Sequence, residues 1–138
     1  MKLRLLTAAV CLLLSSSLAL AGPPGAIPED DSQQRILRSF KSFASSWMEK
    51  MERVETSNRA KPKIRPHVSG SPFTYKGYAS DFDIEVKHTG YAVAPFVGIL
   101  RYSEQLFTCT DASASRCRIV STIPVTEIFR FQGGRWIY

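Results

Sequence analysis

Three carboxylates at alternate positions, Asp81, Asp83 and Glu85, stand just before His88 in this 138-residue chain, and they are the sharpest chemical grouping in it. On an extended strand, residues two apart share a face at a spacing of roughly 7 Å, so the three side chains could gather a hard cation such as calcium or work as a carboxylate pair. A hard cation, however, takes about six oxygen ligands in a curved cage, and one straight strand offers three in parallel. The solvated face of a half-buried sheet accounts for the same residues. His67 and His88 are the only histidines, and although serines and carboxylates abound, no Gly-x-Ser-x-Gly elbow is present to present a nucleophile. Dinucleotide fingerprint, P-loop, haem-attachment and His-Glu-x-x-His motifs are also absent. The residues therefore assign no catalytic group, no metal and no cofactor, and the balance is against an enzyme. Should a concave pocket exist, Asp83, His88 and Tyr102 are its candidate lining.

Cysteine usage points elsewhere. Cys109 and Cys117 flank seven residues, Thr110 to Arg116, whose Ser, Ala, Asp and Arg content suits a hairpin tip. In an oxidising compartment such a pair forms a disulfide, and closing so short a loop stabilises by about 2 to 3 kcal/mol on the chain-entropy account. Zinc would need a second Cys or His pair at finger spacing, and a redox role would need Cys-x-x-Cys; neither is there.

Residues 1–21 read as a secretory signal. Lys2 and Arg4 supply a basic start, Leu5 to Leu14 is apolar, and Ala19-Leu20-Ala21 provides a small-x-small cleavage pattern. The apolar run of about ten residues falls short of the roughly 20 needed to span a bilayer, so the expectation is an exported, periplasmic or extracellular protein that does not span the membrane. Cys11 leaves with the signal and does not sit at the cleavage point where a lipid anchor would require it. Residues 22–30, rich in Pro and Gly, form a flexible leader, and residues 31–138 form one domain. Without Lys2 and Arg4 the formal charge of +6 falls to about +4, a basic excess that permits an anionic partner without demanding one. Export argues against nucleic acid.

Stepping along the domain, Asp31 with Gln34 resembles a capping box, and Ile36, Leu37, Phe40, Phe43, Ala44, Trp47, Met48, Met51 and Val54 follow at three-and-four spacing. The spacing predicts an amphipathic helix of about 25 residues, roughly 37 Å long, which only a broad surface such as a sheet can cover. Asn58 to Pro66 then interleaves Arg59, Lys61, Lys63 and Arg65 with two prolines, a basic linker. It is a candidate surface for lipid headgroups, a glycan or an acidic protein, and equally a solvated crossover whose charges favour the helix C-terminus. Val68 to Phe73 continues as loop. After Tyr75 the period alternates: Phe82, Ile84 and Val86 on one strand, a longer strand from Phe96 to Thr108, a return starting at Arg118 with Pro124 bending it or marking an edge, and a closing hairpin about Gly133-Gly134. Arg135 and Trp136 on that hairpin are candidate contact anchors, and cross-strand packing competes for the same aromatic.

One long helix followed by antiparallel hairpins defines an α+β class, a helix packed on a curved antiparallel sheet of about four to five strands. With its ending Glu127-Ile128-Phe129-Arg130-Phe131-Gln132-Gly133-Gly134-Arg135-Trp136 the chain resembles the cystatin-like and NTF2-like group of α+β rolls. That resemblance is architectural. The cystatin inhibitory motif Gln-x-Val-x-Gly is missing, since Gln105 leads into Leu106, Phe107, Thr108 and Cys109, and the extra helices of NTF2-type pockets have no counterpart. The single helix is expected to fill the concave face. The functional expectation is a small exported non-catalytic domain that binds another envelope or secreted component, with a roll-cavity ligand carrier or enzyme as the alternative.

Overall fold

The computed structural model describes residues 29–65, 70 and 72–138, so the signal, most of the leader and His67 lie outside the described residues. A single long helix, α1 (Glu29–Ala60), is followed by β1 (Lys63–Ile64), β2 (Phe73–Tyr78), β3 (Asp83–His88), β4 (Phe96–Cys109), β5 (Cys117–Gln132) and β6 (Arg135–Ile137). The helix lies on a curled antiparallel sheet, an α+β arrangement of the roll type.

At 32 residues, α1 is longer than its apolar stripe predicts. Asp31 falls in its first turn, where negative charge is favoured by the macrodipole, and is thus inside the helix rather than capping it. At the other end the helix runs through Asn58 and Arg59, beyond the start of the predicted linker. It stops at Ala60 because Pro62 disfavours helical geometry at Lys61, and Lys61 N–H closes the last turn onto the Asn58 carbonyl at 3.3 Å.

β4 is the spine of the sheet. One of its edges pairs along its whole length with β5, from Phe96↔Phe131 to Cys109↔Cys117; the other edge is shared end to end, β3 covering residues 96–101 and β2 covering residues 104–109. The seam between β2 and β3 is closed by Ala79 N–H donating to the Ser103 carbonyl at 2.9 Å. The β4–β5 register slips once, between Leu106↔Ser121 and Phe107↔Ile119, leaving Val120 as an extra residue in a bulge. β6 pairs with β5 only at Arg130 to Gln132, so β5 is an edge strand through Pro124, the position a proline tolerates.

The core lies between α1 and the concave face. Phe40, Ala44 and Met48, one helical turn apart, meet Leu100, Tyr102, Phe129 and Trp136. Phe43 and Trp47 both meet the Phe129 ring edge-on, at centroid distances of 4.8 and 4.9 Å. A smaller cluster of Tyr75, Cys109 and Ala114, flanked by Phe73, Phe107 and Cys117, sits beneath the predicted Cys109–Cys117 disulfide, which is formed. Among the described residues no helix is long and apolar enough to cross a membrane.

Candidate functional site

Two depressions flank the C-terminal half of α1. The larger, about 580 Å³, runs between the helix and the seam of β2 and β3; Met48 and Phe82 give it an apolar floor and Glu49, Glu52 and Glu55 an acidic wall. Glu55 is fixed there by the Tyr78 N–H, which donates to its Oε2 at 2.8 Å. The helix can approach so closely because residue 77 is glycine: a Cβ at Gly77 would lie 2.7 Å from both the Glu55 carboxyl carbon and the Phe107 ring. Burial and the neighbouring Glu104 push the Tyr78 hydroxyl above the ordinary tyrosine range. Arg59 closes the far end of this groove, and its guanidinium donates to the Ala114 carbonyl at 3.3 Å, tying the last helical turn to the disulfide loop.

The second depression, about 150 Å³, is basic, with Lys61, Lys63, Arg65 and Lys76 around it. The linker does not hang free. Its central residues form β1, in register Lys63↔Thr74 and Ile64↔Phe73 with β2, and three further bonds hold it: Arg65 N–H to the Pro72 carbonyl at 2.6 Å, Thr74 Oγ1 to the Lys63 carbonyl at 3.4 Å, and Asn58 Nδ2 to the Lys76 carbonyl at 3.0 Å. Of the four predicted basic residues, three therefore meet at one place, and Arg59 is turned to the larger groove. Lys76 joins them from β2, where it pairs with Glu104 at 2.8 Å. Sequence reading missed it because the segment Val68 to Phe73 reads as loop, and Gly77 leaves only the short alternating run Phe73-Thr74-Tyr75-Lys76 to mark the strand.

Asp83 and Tyr102 border a shallow depression of about 240 Å³ with Asp81, Arg101 and Pro124, whereas His88 lies at the opposite end of β3, edge-on to Phe96 at 5.2 Å. The three are not brought together. The alternating carboxylates diverge in role as well. Glu85 sits between Arg101 at 2.8 Å and Lys87 at 3.1 Å, and hydrogen bonds from these two cations, Arg101 first, hold its carboxyl below the usual range. Among the described residues no group of three or more His, Cys, Asp or Glu side chains is placed to hold a metal ion.

Tyr102 belongs to the covered side of the sheet. Its hydroxyl donates to Glu127 Oε1 at 3.3 Å, and burial, reinforced by the Glu127 charge, pushes its pKa up to about 12. The buried Trp47 indole N–H faces the same hydroxyl without reaching hydrogen-bond geometry. Glu127, which sequence reading did not single out, also draws in the Tyr138 hydroxyl and raises it. Of the two closing-hairpin anchors, Arg135 is exposed, while Trp136 is only 8% exposed and donates its indole N–H to Ser39 Oγ at 3.2 Å.

The tip carrying the disulfide is organised by Asp111. It accepts from the Ser113 hydroxyl, from Ser115 through both backbone and side chain at 3.1 Å, and from Arg116 N–H at 3.3 Å; these bonds hold its carboxyl well below the usual carboxylate range. The positive φ of 51° at Ala114 closes the turn.

Compared with known proteins, the chain matches no family model, no curated protein and no solved structure.

Proposed function

We propose that this is an exported, non-catalytic binding domain of the cystatin-like and NTF2-like roll type, which recognises another envelope or secreted protein through β5. The observation that carries the reading is the set of branched apolar side chains that β5 leaves in solvent: Ile119, Val120, Ile123 and Ile128 are 46 to 58% exposed, with Ile123 and Ile128 on opposite faces of the strand. An edge strand with exposed apolar side chains on both faces offers a partner a grip on either side of it, the geometry by which extended segments dock on sheet edges. The aromatic filling of the concave face supports the same reading, since Phe40, Leu100 and Phe129, all fully buried, occupy the space a roll would otherwise give to a ligand.

The test is crosslinking capture with purified protein against envelope and secreted fractions of the producing cells, read by mass spectrometry, with Ile123→Glu/Ile128→Glu alongside. A partner crosslinked through β5 and lost from the variant is expected. An identical crosslink set for both proteins overturns the reading, as does recovery of none.

A second reading, the small-ligand carrier, is favoured by one observation, the 580 Å³ groove beside α1, whose volume falls within the roughly 300–1,000 Å³ range of small-molecule sites. Its apolar floor and acidic wall would suit a cationic amphiphile. Native mass spectrometry retaining such a ligand, and losing it in Glu52→Gln/Glu55→Gln, would turn the assignment to this groove.

A further inference from the structure

We propose that the strapped basic segment is a binding site for a phosphate-type oxyanion, formed by Lys61, Lys63 and Arg65 with Lys76 at its side. The sequence holds no Asp or Glu anywhere from Thr56 to Ser80, so nothing local neutralises this stretch. Among the described residues no carboxylate forms an ion pair with Lys61, Lys63 or Arg65, and none lines the depression; Lys76 is paired with Glu104. Several like charges gathered around a depression of about 150 Å³ raise its local positive potential, which an entering anion would lower.

The end of α1 accounts for one cation but not for the set. The partial negative charge of a helix C-terminus acts within the last turn, which reaches Lys61. Lys63 and Arg65 lie beyond it, on β1 and just past it, and are placed by the ladder with Thr74 and by the Arg65 to Pro72 hydrogen bond. These backbone bonds fix the spacing of the cations before any ligand arrives, which removes part of the ordering cost of binding.

The volume sets the ligand class. With bulk water taking about 30 Å³ per molecule, the depression holds one tetrahedral oxyanion with a few waters and excludes a folded partner. Arg65 offers the planar fork that matches phosphate oxygens, Lys61 and Lys63 offer point charges, and the Asn58 amide on the same rim is already bonded to the Lys76 carbonyl and so orients rather than binds. A phosphate ester on a soluble molecule and the headgroup of an anionic phospholipid present the same chemistry to this site. The site is separate from β5, and its failure leaves the proposed protein partner untouched.

Binding is measured by calorimetry with inorganic phosphate, and by flotation with phosphatidylcholine vesicles with and without phosphatidylglycerol, at several salt concentrations. Lys63→Gln/Arg65→Gln is compared with Arg38→Gln/Lys41→Gln, which removes the same charge from the exposed face of α1. The site predicts saturable binding that weakens more than about tenfold in the first variant and less than about threefold in the second, as expected when charge-assisted hydrogen bonds rather than net charge are lost. Binding to phosphate with or without vesicles points to a soluble ester, and binding to phosphatidylglycerol vesicles alone points to the headgroup; both support the site. Equal loss in the two variants, or no binding by the unaltered protein to either probe, overturns it. Circular dichroism of both variants shows whether the fold persists, and if the first variant unfolds, Lys61→Gln replaces it, since Lys61 lies outside the β1–β2 ladder.

Discussion

The ring of Phe40 lies flat against the backbone of Gly98, in the space where any Cβ on residue 98 would have to be. Phe40 is fully buried at the centre of the helix stripe, and Gly98 sits in β4 between Val86 of β3 and Phe129 of β5. The glycine is required here for close approach rather than for an unusual backbone angle. Gly98→Ala is expected to destabilise by about 1 to 3 kcal/mol in urea unfolding, the range for overpacking a close-fitted core. In Gly98→Ala/Phe40→Leu the smaller side chain relieves the clash, so the combined cost should fall below the sum of the two single costs.

Reducing the Cys109–Cys117 bridge, or replacing both cysteines by serine, should lower stability by about 2 to 3 kcal/mol, because the cross-link spans a sequence separation of 8 and constrains the unfolded chain accordingly. Thermal unfolding with and without reductant measures it. Since Cys109 is fully buried against Tyr75 and Ala114, a Cys117→Ala single variant should cost less than Cys109→Ser, which places a hydroxyl in that cluster.

Asp111 has a folded pKa below that of the unfolded chain, so its contribution to stability is present above the ordinary carboxylate value near 3.8 and fades as pH falls below it. Unfolding midpoints measured from neutral to strongly acidic pH should decline for the native protein. For Asp111→Ala the midpoint should begin lower and decline less, and a parallel decline in both would remove Asp111 from the account.

Tyr102 shows the opposite sign. Its folded pKa of about 12 lies above the unfolded value of 10, so the preference for the neutral phenol is complete below pH 10 and is lost as pH rises through 12. Ultraviolet titration of the folded protein should show a late-ionising tyrosine that disappears in Tyr102→Phe. The same variant should lose less stability than the native protein as pH rises between those values.

The chain makes its helix and its disulfide readable because each depends on local pattern alone. Ile36 through Met51 recur at the period of one helical face, and Cys109 and Cys117 bracket a turn-forming run, so neither needs knowledge of what lies across the core. β2 was hidden by the opposite circumstance. Its alternating run, Phe73-Thr74-Tyr75-Lys76, is only four residues long, is cut off by Gly77 and follows a loop-like stretch, so it does not stand out, although Thr74 and Tyr75 are both buried in the fold. The basic residues of the strap were visible as charges but not as a cluster, because what gathers Lys61, Lys63, Arg65 and Lys76 is a two-residue ladder to a strand with only a short signal of its own. Trp136 illustrates a third kind of gap: its type suits an interface and a core equally, and only the distant Ser39 hydroxyl and the Phe40 ring place it inside.

An open strand edge is a standing invitation to copies of the same chain, and β5 presents one along most of its length. Two interruptions divide it. Val120 is looped out of step with its neighbour, and Pro124 has no amide hydrogen to give on either side. A polymerising sheet needs an unbroken run of donors and acceptors at regular intervals, and these two residues leave only short lengths on which a second chain could seat. The greasy strand can thus stay uncovered at working concentrations without seeding fibres.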